Sequence, residues 1–247
     1  MVKRVRLSVA YDGTNYCGFQ IQQNGPTIEE ELNRHLSELL EENIKVIGAS
    51  RTDSGVHALC NIVVFDTSSR IPAEKISYAM NQRLPEDIRI RKSEEVELSF
   101  HPRKRKSMKT YEYRILNKEF PIPTRRLYTH FAYEHFKIHL MKEAAAYLVG
   151  EHDFKSFCSS GSEIDSTIRT IYMLDVNEND GEISIQVSGN GFLYNMVRII
   201  AGTLMEVGKG NMTPDEMGKI LERKDRSAAG PTAPAKGLTL LSYEFFD

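Results

Sequence analysis

Apolar positions along the chain fall into short alternating runs separated by helical stripes, and the whole pattern occurs twice. Val5, Leu7, Val9 and Tyr11 alternate with Arg4, Arg6 and Ser8, which predicts a strand with one buried face. Thr27 and Glu30, spaced as a capping box just after Pro26, predict a helix start, and Ile28, Leu32, Leu36, Leu39 and Leu40 form its apolar stripe. Ile44–Ile47 and Ile62–Phe65 predict two short buried strands. A second helix begins near Pro72, carries Ile76, Ala79 and Met80 inward and ends before Pro85, and Asp87–Arg91 predicts a fourth strand. The order β-α-β-β-α-β is the ferredoxin-like arrangement.

The pattern restarts after a basic run. Thr110–Ile115 alternates and puts Tyr111, Tyr113 and Ile115 on one face. The connection Phe120-Pro121-Ile122-Pro123 leads to an extra strand at Leu127–Tyr133, and Lys137–Leu148 predicts a helix with Gly150 just past its end. Thr167–Val176 and Glu182–Val187 predict a hairpin through Asn179-Asp180-Gly181. Phe192–Val207 predicts an apolar helix with Met196, Ile199, Ile200 and Leu204 on one side, and Thr213-Pro214-Asp215-Glu216 caps one more. The segment Ala228–Gly237 leads to a last strand, Leu238–Phe246. The expected fold class is α+β: two ferredoxin-like (β-α-β-β-α-β) halves, residues 1–105 and 106–247, the second with insertions. Their antiparallel sheets are expected to join and to leave a cleft between the halves.

Composition narrows the setting. The 247 residues, 40% hydrophobic and 27% charged, are those of an ordinary soluble globular protein with one large core or two small ones. No apolar run approaches the roughly 20 residues that span a bilayer, and Met1–Arg6 leads straight into a strand without a signal-peptide core. Cys17, Cys60 and Cys158 show neither a disulfide framework nor zinc spacing. A reducing, cytoplasmic setting with no membrane is expected. The net charge of −2 means that a nucleic-acid partner would need a local basic patch. Arg103, Lys104, Arg105 and Lys106 supply one, while Glu29–Glu31 and Glu41-Glu42 concentrate acid elsewhere.

The chemistry concentrates in Gly48–Ala58, between the second and third strands. Asp53-Ser54-Gly55 alone would make a good turn. Arg51, Thr52 and His57 crowded beside Asp53 exceed what a turn needs, and a carboxylate two residues from an arginine suggests a charge held ionised in a chosen orientation. Other signals fail. Ser188-Gly189-Asn190-Gly191-Phe192 has Tyr194 where a dinucleotide fingerprint needs its third glycine, and His135 and His139 lack a Glu-x-x-His context. Ser159-Ser160-Gly161-Ser162 is neither a phosphate loop nor a nucleophile elbow. No cofactor or metal motif survives.

Ser50-Arg51-Thr52-Asp53-Ser54-Gly55-Val56-His57-Ala58 resembles the active-site loop of the tRNA pseudouridine synthase A family, G-R-T-D-x-G-V-H-A, with Ser50 where the family usually has Gly. Four further segments are similar to the family's, in the same order: Tyr11-Asp12-Gly13 with Tyr16-Cys17-Gly18-Phe19-Gln20; Lys109–Tyr113; Gly191–Arg198; and Ala233–Leu238. The resemblance implies that Asp53 is the catalytic carboxylate, that Tyr111 stacks on the target base, and that Leu238 makes an apolar contact with it. It implies that Arg198 is the cation beside Asp53. Arg51, exposed next to that carboxylate, is expected to stack or insert where the base leaves its helix, and Arg103–Lys106 to contact RNA phosphates. The implied activity is isomerisation of uridine to pseudouridine in the anticodon stem-loop of tRNA by a homodimer, with no cofactor and no metal. Two rivals stay open at this stage. A non-catalytic RNA-binding protein would have no use for Asp53 opposite Arg198; a hydrolase would need a second carboxylate or a metal.

Overall fold

In the computed structural model, which describes residues 1–161 and 165–246, Lys3–Tyr11 forms β1 with Val5, Leu7 and Val9 fully buried. Ser162, the last residue of the Ser159–Ser162 segment, lies outside the described residues. Helix α1 (Ile28–Leu40) starts where the sequence predicts: Thr27 Oγ1 accepts the Glu30 N–H at 3.3 Å. Ile28, Leu32, Leu36 and Leu40 are buried as expected, while Leu39 is half-buried and His35 joins the inward face.

The strand expected at Ile44–Ile47 shrinks to β2 (Ile47–Gly48). Its missing rungs have a local cause. Ser37 Oγ accepts the Ile44 N–H at 3.0 Å and Asn33 Oδ1 accepts the Val46 N–H at 2.8 Å, so side chains of α1 satisfy groups that a ladder would have used. β3 (His57–Thr67) is longer than expected and begins inside the polar turn segment. α2 (Ala73–Asn81) buries Ile76, Ser77 and Met80, and β4 extends over Ile88–Val96. β1 lies between β3 and β4, antiparallel to both, with Leu7 opposite Val63 and Ser93. β2 pairs with β3. A register shift between Val9 and Tyr11 on the β3 side ends the regular pairing and redirects Tyr11 toward the turn described below.

The chain divides into two compact units: Met1–Lys106 with the residues from Leu240 onward, and Ser107–Thr239. The return to the first unit is made by the last strand, β10 (Leu238–Phe245), whose Tyr243 packs with Ala49 and Ile62.

The second unit opens with β5 (Ser107–Asn117), in which Tyr113 and Ile115 are fully buried. β6 is only His130–Ala132 and runs parallel to β5. Helix α3 (Ile138–Ala146) is followed by β7 (Gly150–Asp153), a strand the sequence pattern does not predict. β8 (Ile168–Asn179) and β9 (Glu182–Gly189) form the expected hairpin, with Asp180 and Gly181 both at positive φ in its two-residue turn. The strand order is β5-β9-β8-β7, all antiparallel. The apolar helix α4 is Met196–Lys209 and starts later than expected, because Asn195 adopts a left-handed conformation at φ 59° and halts it there. α5 (Glu216–Arg223) completes the unit. The architecture is thus mixed α+β, with mostly antiparallel strands and five α-helices among the described residues. No helix among them is long and apolar enough to cross a membrane.

Candidate active site

The turn that carries Asp53 is held from three directions within the first unit. From below, the amide of Asn61, fully buried in β3, reads both backbone groups of Ser50: Nδ2 donates to the Ser50 carbonyl at 2.9 Å and Oδ1 accepts the Ser50 N–H at 3.2 Å. The same Nδ2 donates to Tyr11 Oη at 3.1 Å, and Tyr11 Oη shares a 2.7 Å hydrogen bond with Thr52 Oγ1. Burial pushes the Tyr11 hydroxyl up to about 12, so the phenol stays protonated and neutral in this network. Replacing Asn61 by Ala strands two backbone groups of Ser50 and leaves the Tyr11 phenol with Thr52 alone, and we expect a loss on the order of 3 kcal/mol of stability in denaturant unfolding. A loss below about 1 kcal/mol would show that the turn does not depend on this amide.

From the side comes the loop between β1 and α1. Phe19 N–H donates to the Thr52 carbonyl at 3.0 Å, while the Tyr16 carbonyl accepts from Gly55 N–H at 3.3 Å and from Ser54 Oγ at 3.2 Å. Gly18 sits at φ +94°, and a Cβ there would lie 2.8 Å from the Thr52 oxygen, so only glycine allows this approach. Tyr16 is itself anchored by donating its hydroxyl to Asp87 at 2.7 Å; burial, then that hydrogen bond and the Asp87 charge, raise its pKa. Within the turn, Val56 N–H closes on the Asp53 carbonyl at 3.1 Å.

From the far end comes His57, 4% exposed. Its Nδ1 lies 3.1 Å from the Gly13 N–H nitrogen and 3.1 Å from Asp12 Oδ1. A neutral ring with its proton on Nε2 accepts the Gly13 N–H; a protonated ring donates to Asp12 instead. The result is a half-buried Asp53 beside an exposed Arg51, on a loop whose backbone conformation is set by residues Tyr11 to Phe19, Asn61 and His57. Ser50, where the resembling family usually has Gly, is buried, and its Oγ has no hydrogen-bond partner among the described residues. Of these supports, Asn61 was findable: it is a lone amide beside the apolar run Ile62–Phe65, and a buried amide must find partners. Tyr11 and Tyr16 stand in a segment marked by its resemblance to the family, and nothing in that segment announces their hydrogen bonds to the turn.

The remaining expected site residues belong to the second unit. Tyr111 is buried in β5, its ring edge-on to Phe192 at 5.3 Å. Arg198, half-buried on the first turn of α4, donates from Nε to the Ala233 carbonyl at 2.7 Å and from Nη1 to Asn195 Oδ1 at 2.8 Å. Ala233 N–H returns a bond to the Arg198 carbonyl at 3.1 Å. The structure therefore ties Arg198 to the segment that ends in Leu238, which is 5% exposed. Arg103, Lys104, Arg105 and Lys106 are all exposed, on the turn that leads into β5. Arg105 is the one drawn inward, 3.7 Å from Glu97 and over the Phe100 ring at 5.9 Å. An exposed pair of this kind contributes little and leaves the arginine available to another anion.

A family model described as tRNA pseudouridine synthase matches residues 7–103 and 144–245. The matched stretches contain Arg51, Asp53, Arg198 and Leu238, and Tyr111 falls between them. A protein of Thermoanaerobacter sp. (strain X514) named tRNA pseudouridine synthase A is 49% identical over 241 residues, covering 97% of this chain and 98% of that protein. One of the same name from Acetivibrio thermocellus is 45% identical over 244 residues, 99% of this chain and all of its own. Among solved structures, a chain of a Cbf5-Nop10-Gar1 complex aligns at 14% identity and a TM-score of 0.37 over 97% of this chain and 50% of that one, a likeness too low to carry weight. With two matched stretches that cover most of its length and full-length relatives near half identity, the chain belongs to the tRNA pseudouridine synthase family and is an enzyme of the isomerase class.

Proposed function

We propose that the protein converts uridine to pseudouridine in the anticodon stem-loop of tRNA, with the carboxylate of Asp53 as its catalytic group and no cofactor. The observation that carries the assignment to Asp53 is the over-determined turn: hydrogen bonds from Asn61, Tyr11, Tyr16 and Phe19 converge on residues 50 to 55. A surface turn needs no such support, whereas a catalytic group gains from being held in one geometry. The reaction breaks the N1–C1′ bond, turns the uracil and joins C5 to C1′; the proton lost from C5 is balanced by one gained at N1. Nothing is oxidised and no group is donated, so the chemistry asks for a charged carboxylate, a cation beside it and a surface that holds the free base.

On this reading the N-terminal half, 1–105, carries the carboxylate, and its strand order β4-β1-β3-β2 supports a ferredoxin-like assignment for that half. The C-terminal half, 106–247, supplies the rest. Arg198 is the cation, Tyr111 stacks on the uracil and Leu238 closes on it. Arg51 fills the space that the uridine leaves in its stack, a vacancy that costs a few kcal/mol to open. The enzyme acts as a homodimer in the cytoplasm, where its substrate is found. Incubation with an unmodified tRNA transcript and mapping of pseudouridine at every uridine tests the reading. Product confined to the anticodon stem-loop is expected; product at other uridines would overturn the site, and no product the activity.

The exposed basic run supplies sequence-independent affinity. Changing Arg103, Lys104 and Arg105 together to Ala is expected to weaken tRNA binding at least tenfold at moderate salt and to flatten log Kd against log salt by about two units of slope. An unchanged slope would move the phosphate contacts elsewhere.

A further inference from the structure

We propose that Tyr113 is a positioning residue of this active site: its hydroxyl fixes the Ala233–Leu238 segment, and through it the guanidinium of Arg198. The inference rests on the proposed roles of Arg198 and Leu238. Tyr113 is fully buried in β5, and a core position there asks only for an aromatic ring. Its hydroxyl nevertheless donates to the Pro234 carbonyl at 3.0 Å. The neighbouring residue, Ala233, exchanges two hydrogen bonds with Arg198, so consecutive residues of one loop are fastened to α4 and to β5. Three residues on, Gly237 lies against the Tyr113 ring: a Cβ there would come within 2.8 Å of Tyr113 Cζ and 2.9 Å of the Arg114 carbonyl oxygen. The loop is thus pressed onto the ring at Gly237 and hooked by the hydroxyl at Pro234. The charge of Arg198 also opposes the rise that burial imposes on the Tyr113 pKa, which places the guanidinium within electrostatic reach of the phenol.

A merely structural tyrosine and a positioning one differ in what phenylalanine would do. Pro234 is exposed, so water can take over its carbonyl when the hydroxyl is removed, and the fold loses little. What goes is the fixed placement of Arg198 and Leu238, and misplacement on the ångström scale is enough to slow a reaction up to about a hundredfold.

The test uses the full-length protein and an unmodified tRNA transcript. Tyr113→Phe is expected to lower the single-turnover rate of pseudouridine formation about tenfold, with tRNA Kd within about twofold of the parent and Tm lowered by only about 3 °C. Because both residues act on one unit, Tyr113→Phe added to Arg198→Lys should slow the reaction less than about twofold further. An unchanged rate for Tyr113→Phe, or a full tenfold further loss in the double variant, would overturn the positioning role. Should Tyr113→Phe fail to fold, Gly237→Ala displaces the same segment while keeping the phenol; it should show the same loss of rate at unchanged Kd, and an unaffected rate overturns the proposal. A parent that makes no pseudouridine overturns the proposed function and this role with it, whereas an active parent with an unaffected Tyr113→Phe overturns this role alone.

Discussion

Asp53→Asn is expected to abolish pseudouridine formation and to leave tRNA affinity within a few-fold of the parent. The substitution keeps the size of the side chain and most of its hydrogen-bonding capacity, and removes only the charge. The supports of the turn do not depend on that charge: the bonds to Ser50, Thr52, Ser54 and Gly55 come from Asn61, Tyr11, Phe19 and Tyr16. The loop should therefore hold its conformation in the variant, with unfolding within about 1 kcal/mol of the parent. Binding should persist because the exposed cations at Arg103–Lys106 stand on a different segment. An anion near the RNA backbone repels it, so neutralising Asp53 could even tighten binding slightly. Unchanged or tighter binding with no product is the signature of a catalytic carboxylate. Joint loss of binding and product would point to a structural turn, and retained product would sink the assignment. A protein that only binds RNA is told apart by its parent, which would bind tRNA and make no product.

How far the sequence discloses this molecule depends on the distance over which each feature is decided. β1, the start of α1 and the β8–β9 hairpin are set by neighbours within a few residues: alternation, a cap at Thr27, and Asp180-Gly181 at positive φ. Each is legible in the sequence. Ile44–Ile47 is not, because an apolar run looks the same whether strand rungs or the side chains of Ser37 and Asn33 take its backbone groups. β7 is invisible for the related reason that Gly-Glu-His-Asp has no strand pattern, and its pairing with Ile168–Ile171 of β8 makes it one. The return of β10 to the first unit is likewise a long-range choice.

The site divides in the same way. Asp53 and Arg51 stand out by composition because they share one turn. Asn61 holds the turn from 11 residues away, but the other supports lie far from it in sequence: Tyr11 is 41 residues from its partner Thr52, and Tyr16 is 38 residues from Ser54. Tyr113 reads as a core aromatic from its place in an alternating strand, and it is one. Its second task comes from a carbonyl 121 residues away, which no local pattern can announce.

Arg198→Ala is expected to reduce pseudouridine formation by about a thousandfold and to lower stability by about 1–2 kcal/mol. Both effects follow from what the guanidinium holds. Its Nε and Nη1 are committed to the Ala233 carbonyl and the Asn195 side chain, so its removal leaves the loop before Leu238 fastened at Pro234 and by the Ala233 N–H, without the arginine's own bond. Asn195, the left-handed residue that sets the start of α4, loses a partner in the same stroke and keeps the bond from its Nδ2 to Ser159 Oγ at 3.0 Å. If Arg198 is also the cation for Asp53, its loss removes the charge that keeps that carboxylate ionised and oriented. Arg198→Lys separates these contributions. An ammonium restores the positive charge but not a planar fork, so it can serve Ala233 or Asn195 in the old geometry and not both. We expect the lysine variant to recover most of the stability and only part of the rate, about tenfold below the parent. Raising the pH should help neither variant, because the missing element is a fixed positive charge and not a proton acceptor. An alanine variant as stable and as fast as the parent would show that Arg198 serves neither the loop nor the carboxylate; a stable but slow one would assign it to the carboxylate alone.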